Sequence, residues 1–208
     1  MTTIEYHFNI MSLHLGLHVT EILRVLRELR KGWYVLQFPD RAVLIGQILP
    51  ALSKPGATIL WVGCQAYTRR YPVIIERQGA ECWTLEIDPA ERRWGHPKRH
   101  TVGDLRNVGA LYTPDYFHVA LVNGVFGWGL DTLHGQNEAV EGLARILKPD
   151  GMLMLGWNTD RSSDPTKLPA IEQFFVPSRQ PRFDRRITFP TVTHVYDFFS
   201  RKTALEQF

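Results

Sequence analysis

Two residues at the ends of apolar runs offer the clearest chemistry in this sequence. Gly63 follows the run TILWV at 58–62, and Glu86 lies near the end of the run ECWTLEI at 81–87. A glycine at a strand end lets a ligand approach bare backbone. A carboxylate at the end of the next strand can accept hydrogen bonds from both hydroxyls of a ribose. With a helix between them, both ends can face one crevice of a parallel sheet. Taken alone, such a pair fits a tight turn and a solvated acid equally well. Asp104, after a possible short strand at 100–102, and Asn123, closing FHVALVN at 117–123, fall at comparable places.

The elements that must position these residues follow from periodicity. Residues 20–30 (TEILRVLRELR) carry Ile22, Leu23, Val25, Leu26 and Leu29 at helical spacing, with arginines on the other face. Asp40 can cap a second helix over RAVLIGQILPAL, with Pro50 near its end, and Lys54-Pro55-Gly56 marks a turn. Strand 58–62, helix 72–78 stopped by Gly79, strand 81–87, short strand 100–102, strand 117–123, helix 136–147 and a strand from 152 then succeed one another, with a turn at 148–151. This alternation predicts βαβ units and an α/β, doubly wound, mostly parallel sheet with helices on both faces. No helix-length segment separates strands 186–188 and 193–201, so these should pair antiparallel and bring the sheet to seven strands. Residues 1–55 are expected to form a helical extension or lid, and 56–208 the α/β domain.

Composition excludes several classes. The 208 residues are 44% hydrophobic and 22% charged with a formal net charge of +3, which suits a globular domain and does not point to nucleic acid. The basic groups Arg92-Arg93, Lys98-Arg99-His100 and Arg182-Arg185-Arg186 are interrupted by prolines and acids and read as a solvated face. Two cysteines, Cys64 and Cys82, make no disulfide framework, and no Cys/His cluster predicts a metal. The first residues lack the basic-then-apolar order of a signal peptide, and no apolar run suits a membrane span, so a cytoplasmic protein is expected.

The segments ATILWVGC, GAECWTLEIDP, TVGDL, YFHVALVNGVF and LARILKPDGMLML follow one another as the blocks of class I S-adenosylmethionine (SAM)-dependent methyltransferases do. Over about 56–155 the chain resembles that superfamily. The resemblance implies SAM as cofactor, with Gly63 beside its amino-acid tail and Cys64, Gln65, Tyr67 and Ile87 also cofactor-binding. Glu86 would hold the ribose, Asp104 the adenine amino group and Leu105 the ring, with Asn123 near the methionine end. One departure stands out. The first family motif reads acid-x-Gly-x-Gly-x-Gly, and here Trp61, Gln65 and Tyr67 replace the acid and two glycines. Either this loop takes a different path around SAM, or the site is degenerate. Arg69 and Arg70 follow it and could meet a carboxylate, or lie solvated.

The resemblance implies methyl transfer to a small-molecule acceptor by in-line displacement, which needs positioning more than a catalytic triad. His134 and Asp131, after the fourth strand, are candidate bases. His194 and Tyr196, on the last strand, are expected to be structural or exposed, and His118 to lie far from the site. Tyr67, Trp128 and Trp157 could wall a substrate pocket, while Trp83 reads as core. The stretch 158–184 reads as a long loop. The rival readings are a methyltransferase-like protein that serves as a binding or scaffold partner, and an RNA methyltransferase.

Overall fold

The computed structural model describes residues 38–203; the helix read over 20–30 lies outside them. The chain divides into two units after Phe38, and all that follows concerns the second. Its centre is a run of parallel strands rich in Val, Ile, Leu and Ala: β1 (Thr58–Val62), β2 (Glu81–Glu86), β3 (His100–Val102), β4 (Phe117–Asn123) and β5 (Leu147–Asn158). β1 and β4 are buried along nearly their whole length. Parallel strands bury both faces in this way because crossover helices cover each side.

Three more strands complete the sheet. β6 (Phe175–Pro177) and β7 (Arg186–Thr188) both pair antiparallel with β8 (His194–Arg201), and β8 pairs antiparallel with β5. The sheet therefore has 8 strands in the order β3-β2-β1-β4-β5-β8-β6, with β7 against β8. The antiparallel β7–β8 pair agrees with the sequence reading. β6 adds a strand to the expected seven; three residues that include Pro177 carry no period to detect, and an edge tolerates the proline. The stretch 158–184 is accordingly not one long loop. It holds a 3₁₀ turn (Pro165–Lys167), helix Pro169–Phe174 and β6.

Two helical layers cover the sheet. One face carries helix α5 (Leu133–Ile146), whose Ala139, Val140 and Leu143 pack against Leu60, Ala120 and Leu153. Thr132 caps α5 by accepting from the Gly135 amide at 3.2 Å, so the helix starts three residues before its apolar period does. The other face carries helix α1 (Pro39–Val43), a π-helical turn (Leu44–Ile48) and α2 (Leu49–Leu52). Leu44, Ile48, Leu49 and Leu52 bury there against Ile59, Trp61 and Leu121. Each such aliphatic side chain contributes roughly 1.5–3 kcal/mol. Asp40 lies inside the first turn of α1 instead of capping it from outside. Helix α3 (Tyr71–Glu76) joins β1 to β2, and α4 (Val108–Leu111) precedes β4.

The expected turn at 148–151 is a bulge within β5. Phe117 pairs with Leu147 and Val119 with Met152, so β5 spends three more residues than β4 over that interval. Asp150 takes φ 60°, a left-handed conformation that Asp tolerates better than most residues.

A buried polar cluster fixes the antiparallel end of the sheet. Asp197, 3% exposed at the middle of β8, accepts from the Trp157 indole at 2.8 Å and from the Arg186 guanidinium at 2.6 and 3.0 Å. Arg186 reaches on to Asp164 at 3.0 Å. Trp157 is therefore core, 4% exposed, and does not wall a substrate pocket. Asp197→Ala would leave the Trp157 and Arg186 donors without their partner and should cost about 3 kcal/mol, read as a lower midpoint in urea denaturation. A variant as stable as wild type would show that Asp197 contributes nothing net.

Candidate functional site

The carboxyl ends of β1 through β5 lie at one edge of the sheet, and chain order reverses between β1 and β4. Such a switch point leaves a crevice above the strand ends. Gly63 occupies it with φ 91°, a conformation unfavourable for a residue with a side chain. A Cβ there would also touch the Asn123 carbonyl oxygen.

The loop after β1 is held by hydrogen bonds. Trp61 is 1% exposed, and its indole N–H donates to the Gly63 carbonyl at 2.6 Å. Its ring meets Tyr71 edge-on at 4.8 Å. The Cys64 amide donates to Glu86 Oε2 at 2.7 Å. Gln65 and Thr68 close a turn, with the Gln65 amide donating to Thr68 Oγ1 at 3.0 Å. Burial pushes the Cys64 thiol up to about 12, so it stays protonated and is no nucleophile. Gln65 and Tyr67 both have exposed side chains, so neither is packed into the protein interior.

Glu86 ends β2 and is 8% exposed. Its second oxygen, Oε1, accepts from the Asp88 amide at 3.0 Å, so the carboxylate ties the β1 and β2 loops together. Each oxygen keeps a lone pair for a further donor. Ile87, the next residue, exposes its apolar side chain, and Leu105 is buried. Asp104 caps the 3₁₀ turn Leu105–Asn107 by accepting from the Arg106 amide at 2.9 Å, and pairs with the Arg106 guanidinium at 2.8 Å. Hydrogen bonding to Arg106 holds its carboxyl below the usual range.

The largest surprise is His194. Because β8 runs antiparallel to β5, its first residue lands beside Asn158, at the carboxyl edge of the parallel strands. His194 is 7% exposed; its Nε2 lies 3.0 Å from Asn123 Oδ1 and its Nδ1 3.3 Å from Asn158 Oδ1. It packs on Tyr196 at 4.7 Å, and the Tyr196 hydroxyl donates to the Asp40 carbonyl at 3.1 Å. His194 and Tyr196 are thus buried at the ligand edge. The signal was available: an antiparallel last strand must begin where its parallel neighbour ends. Gly156 permits the contact, since a Cβ on it would overlap Asn123 Oδ1 and press on His194.

Of the other sequence candidates, Trp128 touches this group through Asn158. His134 is exposed on the first turn of α5, with its Nε2 3.4 Å from Glu138. Asp131 is exposed and accepts from the Gly129 amide at 3.2 Å. Trp128 is 55% exposed; its indole N–H donates to Asn158 Oδ1 at 3.4 Å, and the Arg161 guanidinium lies 4.6 Å from its ring. Trp83 packs edge-on against Tyr112, Tyr116 and Phe117, as core. His118 sits at the far end of the sheet, its Nδ1 accepting from the Thr58 amide at 3.0 Å. Among the described residues, no three His, Cys, Asp or Glu side chains could hold a metal, and no helix is long and apolar enough to cross a membrane.

Burial lowers the His194 pKa from 6.5 to about 4, with the Asp40 charge opposing that shift and Arg41 adding to it. The unfolded chain takes up this proton first as pH falls, so stability should decline between about pH 6.5 and 4, by up to about 3 kcal/mol. His194→Gln should flatten the melting-temperature profile over that window; an unchanged slope would place the effect elsewhere. Gly156→Ala should force Asn123 off His194 and destabilise by about 1–3 kcal/mol, measured by denaturant unfolding, and wild-type stability would show that the contact is dispensable.

No protein-family model matches the chain, and no curated protein matches it. Solved structures do. A TehB-like SAM-dependent methyltransferase from Corynebacterium glutamicum superposes with TM-score 0.59 at 18% identity, covering 84% of this chain and 100% of the other. Geranyl diphosphate C-methyltransferase from Streptomyces coelicolor gives TM-score 0.58 at 13% identity over 77% of this chain and 76% of its own. The 1,6-didemethyltoxoflavin-N1-methyltransferase of Burkholderia thailandensis, solved with S-adenosylhomocysteine, gives 0.54 at 17% identity over 92% and 90%. At these identities the likeness speaks to architecture. Strand order, the antiparallel β8 beyond β5 and these superpositions agree that the chain has the fold of the class I SAM-dependent methyltransferases.

Proposed function

We propose that the chain binds SAM at the carboxyl edge of the sheet and transfers its methyl group to a small-molecule acceptor by in-line displacement. The observation that carries this reading is Glu86, a buried carboxylate at the end of β2 beside the β1–β4 switch point, in the fold that SAM-dependent methyltransferases share. When bound, SAM supplies an electrophilic methyl group on a sulfonium.

The chain's own residues then bind and orient. Glu86 has lone pairs left for ribose hydroxyls, and Ile87 offers an exposed apolar surface to a base. Gly63 lets the methionine part pass close to backbone. Asn123 and His194, in contact at the end of β4 and the start of β8, would face an acceptor bound beyond the strand ends. Burial lowers the affinity of that imidazole for a proton, and both its nitrogens face asparagine oxygens, so it would orient Asn123 rather than act as a base. His134 and Asp131, exposed at the start of α5, would serve as bases only for an acceptor that reaches them there.

A second reading has an observation behind it. Both Glu86 oxygens and both Asp104 oxygens already accept protein N–H bonds. Those bonds suit a protein that kept the fold as a binding or scaffold partner. Titration calorimetry separates the two. Wild type should bind SAM and S-adenosylhomocysteine, and Glu86→Gln should bind each about tenfold more weakly, equal to about 1.4 kcal/mol. No heat from either ligand with folded wild type would favour the scaffold; unchanged affinity in Glu86→Gln would remove the ribose assignment.

A further inference from the structure

A carboxylate oxygen without a partner lies buried at the crevice. Asp40, in the first turn of α1, is 9% exposed, and its Oδ1 makes no hydrogen bond. Burying an unsatisfied carboxylate oxygen opposes folding. A group from outside the chain that bonded this oxygen would relieve that cost.

The surroundings specify what that is. The Tyr196 hydroxyl is committed to the Asp40 carbonyl oxygen, which fixes the turn and so the carboxylate. The His194 imidazole, packed on Tyr196, is neutral above about pH 4 and brings no charge. The neighbouring Arg41 guanidinium lies over the Tyr67 ring, 4.3 Å from its centroid. Among the described residues no three-ligand metal cluster exists, so one carboxylate acting alone suits an ammonium better than a divalent ion.

Position narrows the source of that ammonium. Through Tyr196 and His194, Asp40 connects to Asn123 at the end of β4. Through Arg41 and Tyr67 it adjoins the loop that follows Gly63. Glu86 stands on the other side of that loop, tied to Cys64. A nucleoside held at Glu86 with an amino-acid tail directed past Gly63 would carry the tail's amino group to this corner. Trp61 has turned its indole onto the Gly63 carbonyl, so the loop's own first position offers no anion.

We infer that Asp40 forms the subsite for a primary ammonium group, that of the methionine part of SAM. This inference rests on the SAM-binding reading above. It assigns to the helix before β1 an electrostatic duty that the β1 loop does not perform. Asp40 is a positioning residue and takes no part in bond making.

The test compares S-adenosylhomocysteine, which carries the ammonium, with 5′-methylthioadenosine, which lacks the amino-acid tail, by titration calorimetry on full-length wild type and Asp40→Asn. The expected result has three parts. Asp40→Asn binds S-adenosylhomocysteine at least tenfold more weakly, binds 5′-methylthioadenosine within twofold of wild type, and melts, ligand-free, at the same temperature or higher. The last result follows because no protein group bonds the buried Oδ1, and a purely structural aspartate would give the opposite. Equal losses for both ligands, an unchanged affinity for S-adenosylhomocysteine, or a lower melting temperature each overturn the inference. Wild type that binds 5′-methylthioadenosine but gains nothing from the tail also overturns it while sparing the nucleoside site. Wild type that binds neither ligand fails at the earlier reading instead.

Discussion

Adjacent parallel strands that are buried on both faces, as β1 and β4 are, can exist only between two helical layers, and that constraint shapes the molecule. Each crossover returns the chain to the same end of the sheet, so every parallel strand finishes at one edge. The chain starts in the middle, at β1, and builds outward first through β2 and β3, then through β4 and β5. The gap above β1 and β4 is a consequence of that reversal. The class I architecture therefore supplies a crevice before any particular side chain is placed in it.

What lines the crevice departs from a glycine-rich loop. Gly63 keeps the left-handed turn, but the residues after it are secured by donors and acceptors. Trp61 binds the Gly63 carbonyl, Glu86 binds the Cys64 amide, and Thr68 closes a turn with Gln65. Such a loop is fixed by its own bonds, where a glycine loop moulds itself to a phosphate or amino-acid tail. Glu86 consequently serves structure with both oxygens, and a ligand bound there would share them. Removing its charge should act on the β1 loop as well as on any ribose.

The corner formed by Asp40, Asn123, His194 and Tyr196 has the opposite character. Here polar groups are buried and incompletely satisfied, or forced into contact across a glycine. A histidine held neutral by burial and a carboxylate oxygen with no partner both oppose folding. The Asp197 cluster a few residues along β8 shows what the same sheet does when structure alone is at stake, since there both carboxylate oxygens are paired. The contrast between the two sites on one strand is the physical reason to read the first as a place for a ligand.

The order of strands and helices was legible from the sequence, because a buried parallel strand is a short apolar run and a covering helix repeats every three to four residues. Gly63, Glu86, Asp104 and Asn123 could be placed at strand ends for the same reason. The pairing of 186–188 with 194–201 followed from the short connection between them. Tertiary structure alone decided the rest. It turned Trp157 inward to Asp197, made Asp40 a buried residue of a helix that docks on the sheet, and set His194 against Asn123. These depend on which strand lies beside which, and on a side chain that Gly156 does not have. A one-dimensional pattern records period and punctuation; it does not record which distant residues share a face after the last strand reverses direction.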